Sequence, residues 1–72
     1  MKFAIFIGAY GRDYLNKDSA TRDFNNDMDF ILTNRESPLC NKPCNKSSLK
    51  AHGYTHAEIR YKGKTRLVVV EL

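Results

Sequence analysis

The last nineteen residues, Tyr54 to Leu72, constrain this chain most: Y-T-H-A-E-I-R-Y-K-G-K-T-R-L-V-V-V-E-L. Two β-rich runs flank Lys62-Gly63-Lys64, a short turn with one glycine, which is the pattern of a β-hairpin. In the first run Ala57, Ile59 and Tyr61 alternate with His56, Glu58 and Arg60, the period of a half-buried strand. The second run, Leu67, Val68, Val69 and Val70, is apolar without a break. That predicts a strand covered on both faces, inside the sheet. A two-residue turn would set Ile59 opposite Arg66. A three-residue turn would pair Ile59 with Leu67 but oppose Arg60 to Arg66.

With 72 residues the chain is read as a single domain, 1–72, that hides about 60% of the surface its unfolded form exposes. No apolar run reaches the length of a membrane span. Met1 to Ile7 lacks the length and cleavage site of a signal peptide, so the expected location is cytoplasmic, without membrane contact. Charge is uneven. Residues 1–36 hold five Lys/Arg and six Asp/Glu (−1), and residues 37–72 hold seven and two (+5), which gives the net +4. The basic half is the half with the hairpin, which suggests an acidic partner for one face.

Upstream, Phe3 to Tyr10 reads as a central strand with apolar faces on both sides, loosened at Gly8 and Gly11. Asp18 or Ser19 can cap a short helix through Phe24, with Ala20 and Phe24 on one face. Asn25-Asn26-Asp27 is turn chemistry. Met28 to Thr33 reads as a second strand with Met28, Phe30 and Leu32 inward. Asn34 to Lys46, with two prolines and three asparagines, reads as an irregular loop. Ser47 or Ser48 can cap one helical turn, closed by Gly53 in the left-handed conformation. The fold class is α+β: a small, mostly antiparallel sheet of about four strands, with one short helix and a helical turn on one face and a C-terminal β-hairpin.

Cys40, Cys44, His52 and His56 are all the cysteines and histidines of the chain, spaced C-x3-C-x7-H-x3-H. Such ligands suit tetrahedral zinc and would tie down the long loop, giving a zinc-stabilised module as one alternative. The gap of seven is shorter than usual, and Gly53 lies between the histidines. A Cys40–Cys44 disulfide is disfavoured in a cytosolic setting. Asp23, Asn25, Asp27 and Asp29 partly match a calcium loop, but Met28 stands where glycine is needed and Asn34 where glutamate is. Gly8-Ala9-Tyr10-Gly11 lacks the spacing of a phosphate loop. No nucleophile elbow or triad order is present, so the chain is read as non-enzymatic, with no cofactor.

The basic set is Lys46, Lys50, Arg60, Lys62, Lys64 and Arg66, joined by Lys42. Arg60, Lys62, Lys64 and Arg66 cluster at the hairpin tip, with Tyr54 and Tyr61 close in sequence. A basic β-ribbon with aromatics can follow a phosphate backbone and stack bases, which gives a nucleic-acid-binding alternative. Lysines at a hairpin tip also serve solubility and block edge pairing.

Ala20-Thr21-Arg22-Asp23-Phe24, Met28-Asp29-Phe30, Asn45-Lys46 with Leu49, and Ile59-Arg60-Tyr61 before a basic turn and a valine-rich end form one pattern spread along the chain. It resembles small accessory proteins of tailed bacteriophages, encoded as short orphan reading frames. The resemblance covers residues 20–70 and assigns no residue a role. It implies a protein that binds a host enzyme of transcription, DNA metabolism or defence and inhibits or redirects it. The leading expectation is such a binding protein, docking on an acidic host surface in the host cytoplasm through its basic C-terminal half.

Overall fold

Phe3–Ala9 (β1) takes the centre of a five-stranded mixed sheet. On one side it pairs antiparallel with Phe30–Leu32 (β2), which pairs antiparallel with Pro43–Cys44 (β3). On the other it pairs parallel with His56–Ile59 (β4), which pairs antiparallel with Val68–Glu71 (β5). Helices Lys17–Asn25 (α1) and Lys46–Ala51 (α2) complete the chain. The computed structural model describes residues 1–63 and 68–72. The α+β class holds, with one more strand than expected and one parallel pair.

The parallel pair follows from connectivity. The chain leaves β3, runs through α2 and returns as β4 on the far side of β1, a crossover that antiparallel neighbours do not need. The register sets Ala4 beside Ala57 and Phe6 beside both Ile59 and Leu32, so these side chains share one face. Ala20 and Phe24 of α1 and Leu49 of α2 close that face, and all eight are fully buried. Phe6, Phe24 and Phe30 form a triangle with ring centroids 5.6 to 5.8 Å apart, and Tyr14 stacks on Phe30 at 5.9 Å. Each such pair adds about 0.5–1.5 kcal/mol to the burial itself. The opposite face of β1, with Phe3, Ile5 and Ile7, is half-buried, so the strand is central without being covered equally on both sides.

Alternation in β1 breaks at a bulge: Phe6 pairs with Leu32, but Ala9 pairs with Phe30. Gly8 sits there at φ +98°, and a Cβ would lie 1.6 Å from the Arg12 carbonyl oxygen. The extra residue reverses the side-chain phase. Ala9 is therefore buried and Tyr10 turned out, opposite to unbroken alternation from Phe3.

Both helices start one motif earlier than expected. Asn16 caps α1 by accepting from the Ser19 amide at 2.9 Å. Asn45 caps α2 by accepting from the Ser48 amide, while the Ser48 hydroxyl accepts from the Asn45 amide. Gly53 follows α2 at φ +85°, as its position suggested.

Three expectations are corrected. β2 begins at Phe30, and Met28 is 42% exposed, because Asp27 at φ +64° turns the chain first. Part of the long loop pairs with β2 as β3, despite Pro43, because proline is tolerated on an edge strand. β5 lies at the sheet edge, with Val69 49% exposed, and Ile59 pairs with Val68, so neither short-turn register occurs. An apolar run marks a strand, but which strands flank it depends on long-range pairing. Leu67 falls outside the described residues.

Candidate interaction surface

β1 and β4 run parallel, and their chains leave in opposite directions: from β1 toward α1 and β2, and from β4 toward β5. Crevices outside the carboxyl ends of such strands are where open α/β sheets place their sites. Here that end is built by residues 10–15 and by the turn after Ile59. Backbone bonds hold the two together: the Arg60 amide donates to the Phe6 carbonyl at 3.0 Å, and the Lys62 amide donates to the Tyr14 carbonyl at 2.6 Å. Tyr10 is fixed as well, its amide donating to the Asp29 carbonyl at 2.8 Å.

The side chains at this end are cationic and apolar together. Arg12, Arg60 and Lys62 are exposed. Tyr10 is 67% and Leu15 78% exposed, large apolar groups left in water. Tyr14 anchors the loop from below. Its hydroxyl donates to the Asp23 carboxylate at 2.5 Å. Burial first, then this bond to Asp23, push its pKa up from 10.0 to about 12, against the opposing Arg12 guanidinium. Arg12, Tyr10 and Leu15 were not singled out in the sequence. The signal was Gly8 and Gly11, whose left-handed backbone folds the loop back toward β4.

The sequence-selected cations divide. Arg60 and Lys62 join Arg12 at the carboxyl end. Lys46 lies instead at the far end of α1, with its ammonium 3.4 Å from Asn25 Oδ1 and close to Asp27. Lys50 is exposed one turn further along α2. Lys64 and Arg66 lie outside the described residues.

The zinc alternative finds no geometry. Among the described residues, which include every cysteine and histidine, no group of three or more His, Cys, Asp or Glu can hold a metal ion. Cys44 is buried in β3, where burial raises its thiol pKa, and Cys40 is half-buried; both are free thiols. His52 caps α2 with its ring against the Ser48 carbonyl, and His56 packs on Phe3 at 4.8 Å between centroids.

The acidic run is likewise committed to structure. Asp27 accepts from both the amide and the hydroxyl of Ser47, which hold its carboxyl below the usual range. Asp29 accepts from Asn45 Nδ2, and Asp23 from Tyr14. These carboxylates join α1, α2 and the Tyr14 loop rather than converging on a cation.

At the amino end of β1, Lys2, Asn34, Glu36 and Tyr54 line an open cleft of about 380 Å³. The Lys2 ammonium stands 4.3 Å over the Tyr54 ring, and the Tyr54 hydroxyl donates to Ser37. No helix among the described residues is long and apolar enough to cross a membrane. Protein-family models, curated proteins and solved structures give no match to this chain.

Proposed function

We propose that this is a small, non-enzymatic, phage-type binding protein that docks on a host protein and inhibits or redirects it. The host target belongs to nucleic-acid metabolism, transcription or defence. The surface used is the carboxyl end of β1 and β4, which carries Arg12, Arg60 and Lys62 as well as Tyr10 and Leu15. One observation carries this reading: exposed cations and exposed apolar side chains are carried by two segments that the Lys62–Tyr14 and Arg60–Phe6 backbone bonds join at one end of the sheet. Tyr and Arg side chains dominate protein interfaces, and a backbone that is already fixed has less conformational freedom to lose on binding.

A protein partner is favoured over a phosphate backbone by Asp13, an exposed carboxylate between Arg12 and Tyr14 in the same loop. It complements a mixed surface and repels a polyanion. Titration of the protein against random-sequence duplex and single-stranded oligonucleotides in low and moderate salt tests this preference. Weak binding that vanishes at moderate salt agrees with it. Tight binding whose logarithm falls linearly with log salt, with a slope near −0.9 per phosphate neutralised on duplex DNA, would put the nucleic-acid reading first.

A further inference from the structure

The two edges of the sheet are unlike. β3 is two residues long, and one of them is Pro43, which has no amide hydrogen to offer. That edge is blunted in the usual way. β5 carries Val68-Val69-Val70-Glu71, with no proline and no lysine, and among the described residues no strand lies outside it.

Its outer hydrogen-bonding groups follow from the register. The Leu72 amide donates inward to the Thr55 carbonyl at 3.0 Å, and Val70 stands opposite Ala57. In an antiparallel pair the inward and outward backbone groups alternate, so Val70 and Leu72 face β4. The amides and carbonyls of Val69 and Glu71 face away from the sheet.

From this edge we infer that the protein pairs with a second copy of itself through β5, antiparallel and about a two-fold axis at Val70. Val69 of each copy then exchanges both backbone bonds with Glu71 of the other, so all four outward residues are satisfied at once. The contact is isologous and closes at two copies. The same register sets Glu71 of one copy across Val69 from Glu58 of the other, with Arg60 two residues further along. No like charges stand directly opposite, since Glu71 faces Val69. The pairing uses a different surface from the carboxyl-end loops and stands independently of the function proposed above.

Val69→Pro tests it selectively. It removes an outward amide and leaves the inward bonds of Val70 and Leu72 in place, and proline is tolerated on an edge. Sedimentation equilibrium of the full chain over a wide concentration range should show a monomer–dimer equilibrium. Val69→Pro should weaken it about tenfold or more. Amide exchange on the wild-type chain gives a second reading that does not depend on the variant folding. Val69 and Glu71 amides should gain protection as concentration rises, while the Val70 and Leu72 amides stay protected throughout. A monomer at every concentration, assemblies beyond two copies, or Val69 and Glu71 amides whose exchange ignores concentration would each overturn the inference.

Discussion

The Lys62 amide donates to the Tyr14 carbonyl across 2.6 Å, which fastens the turn after β4 to the loop after β1. The two segments are far apart in sequence, yet this bond and the Arg60–Phe6 bond make them one surface. What the surface presents depends on the loop geometry set at Gly8.

Gly8→Ala should be severely destabilising. The added Cβ would meet backbone, the Arg12 carbonyl oxygen at 1.6 Å, and φ +98° is unfavourable for any side chain. A loss of about 2 kcal/mol or more is expected in denaturant unfolding, with the 10–15 loop displaced. Gly53→Ala is the comparison. It meets nothing within 4 Å, so only backbone strain applies and the loss should be about 1 kcal/mol.

Tyr14 should titrate above the ordinary tyrosine range. Its folded pKa is about 12 against an ordinary 10.0, so the folded state holds the phenolic proton more tightly. The stability from this group is fully present below pH 10 and is lost as pH rises from 10 toward 12. Phenolate absorbance of the native protein should show one late step, absent in Tyr14→Phe. A single unresolved step that is unchanged in the variant would contradict the Tyr14–Asp23 contact.

Val69→Asp separates an edge strand from a buried one. With Val69 half exposed at the margin of the sheet, the dilute protein should lose no more than about 1 kcal/mol. Phe6→Ala, in the fully buried triangle, should lose about 3–5 kcal/mol. Unfolding of Val69→Asp to the same extent as Phe6→Ala would place β5 inside a covered sheet.

Asn45→Ala removes the cap of α2 and the bond to Asp29 together. About 1–2 kcal/mol should be lost, with α2 amides exchanging faster than those of β1. Ser48→Ala removes only the return half of the capping box and should cost less.

Local signals carried part of this fold from the sequence. The apolar run after Lys2, the Ala20–Phe24 spacing and the glycine after α2 each act within a few residues, and each appears where its pattern placed it. What was not legible depends on partners distant in sequence. Pro43-Cys44 becomes a strand only because Phe30 and Ile31 offer an edge. Val68 to Val70 lie at an edge because, among the described residues, β4 is the one strand beside them in the sheet order. Arg12 joins Arg60 and Lys62 through a bulge whose sequence signal, one glycine, does not state its direction. The cysteines and histidines were close in sequence, but β3, α2 and β4 carry them apart.

Capture of a host protein, proposed for the carboxyl end of β1 and β4, is tested by retention from nuclease-treated bacterial lysate, comparing the native chain with the Arg60→Glu, Lys62→Glu double variant. Both side chains are exposed, so circular dichroism and melting temperature should match between the two. The native chain should retain a specific protein after nuclease treatment. Measured with that purified protein, the variant should bind at least about tenfold more weakly, mainly through slower association. Equal affinity and on-rate in the two chains, or loss of the captured protein on nuclease treatment, would contradict the claim.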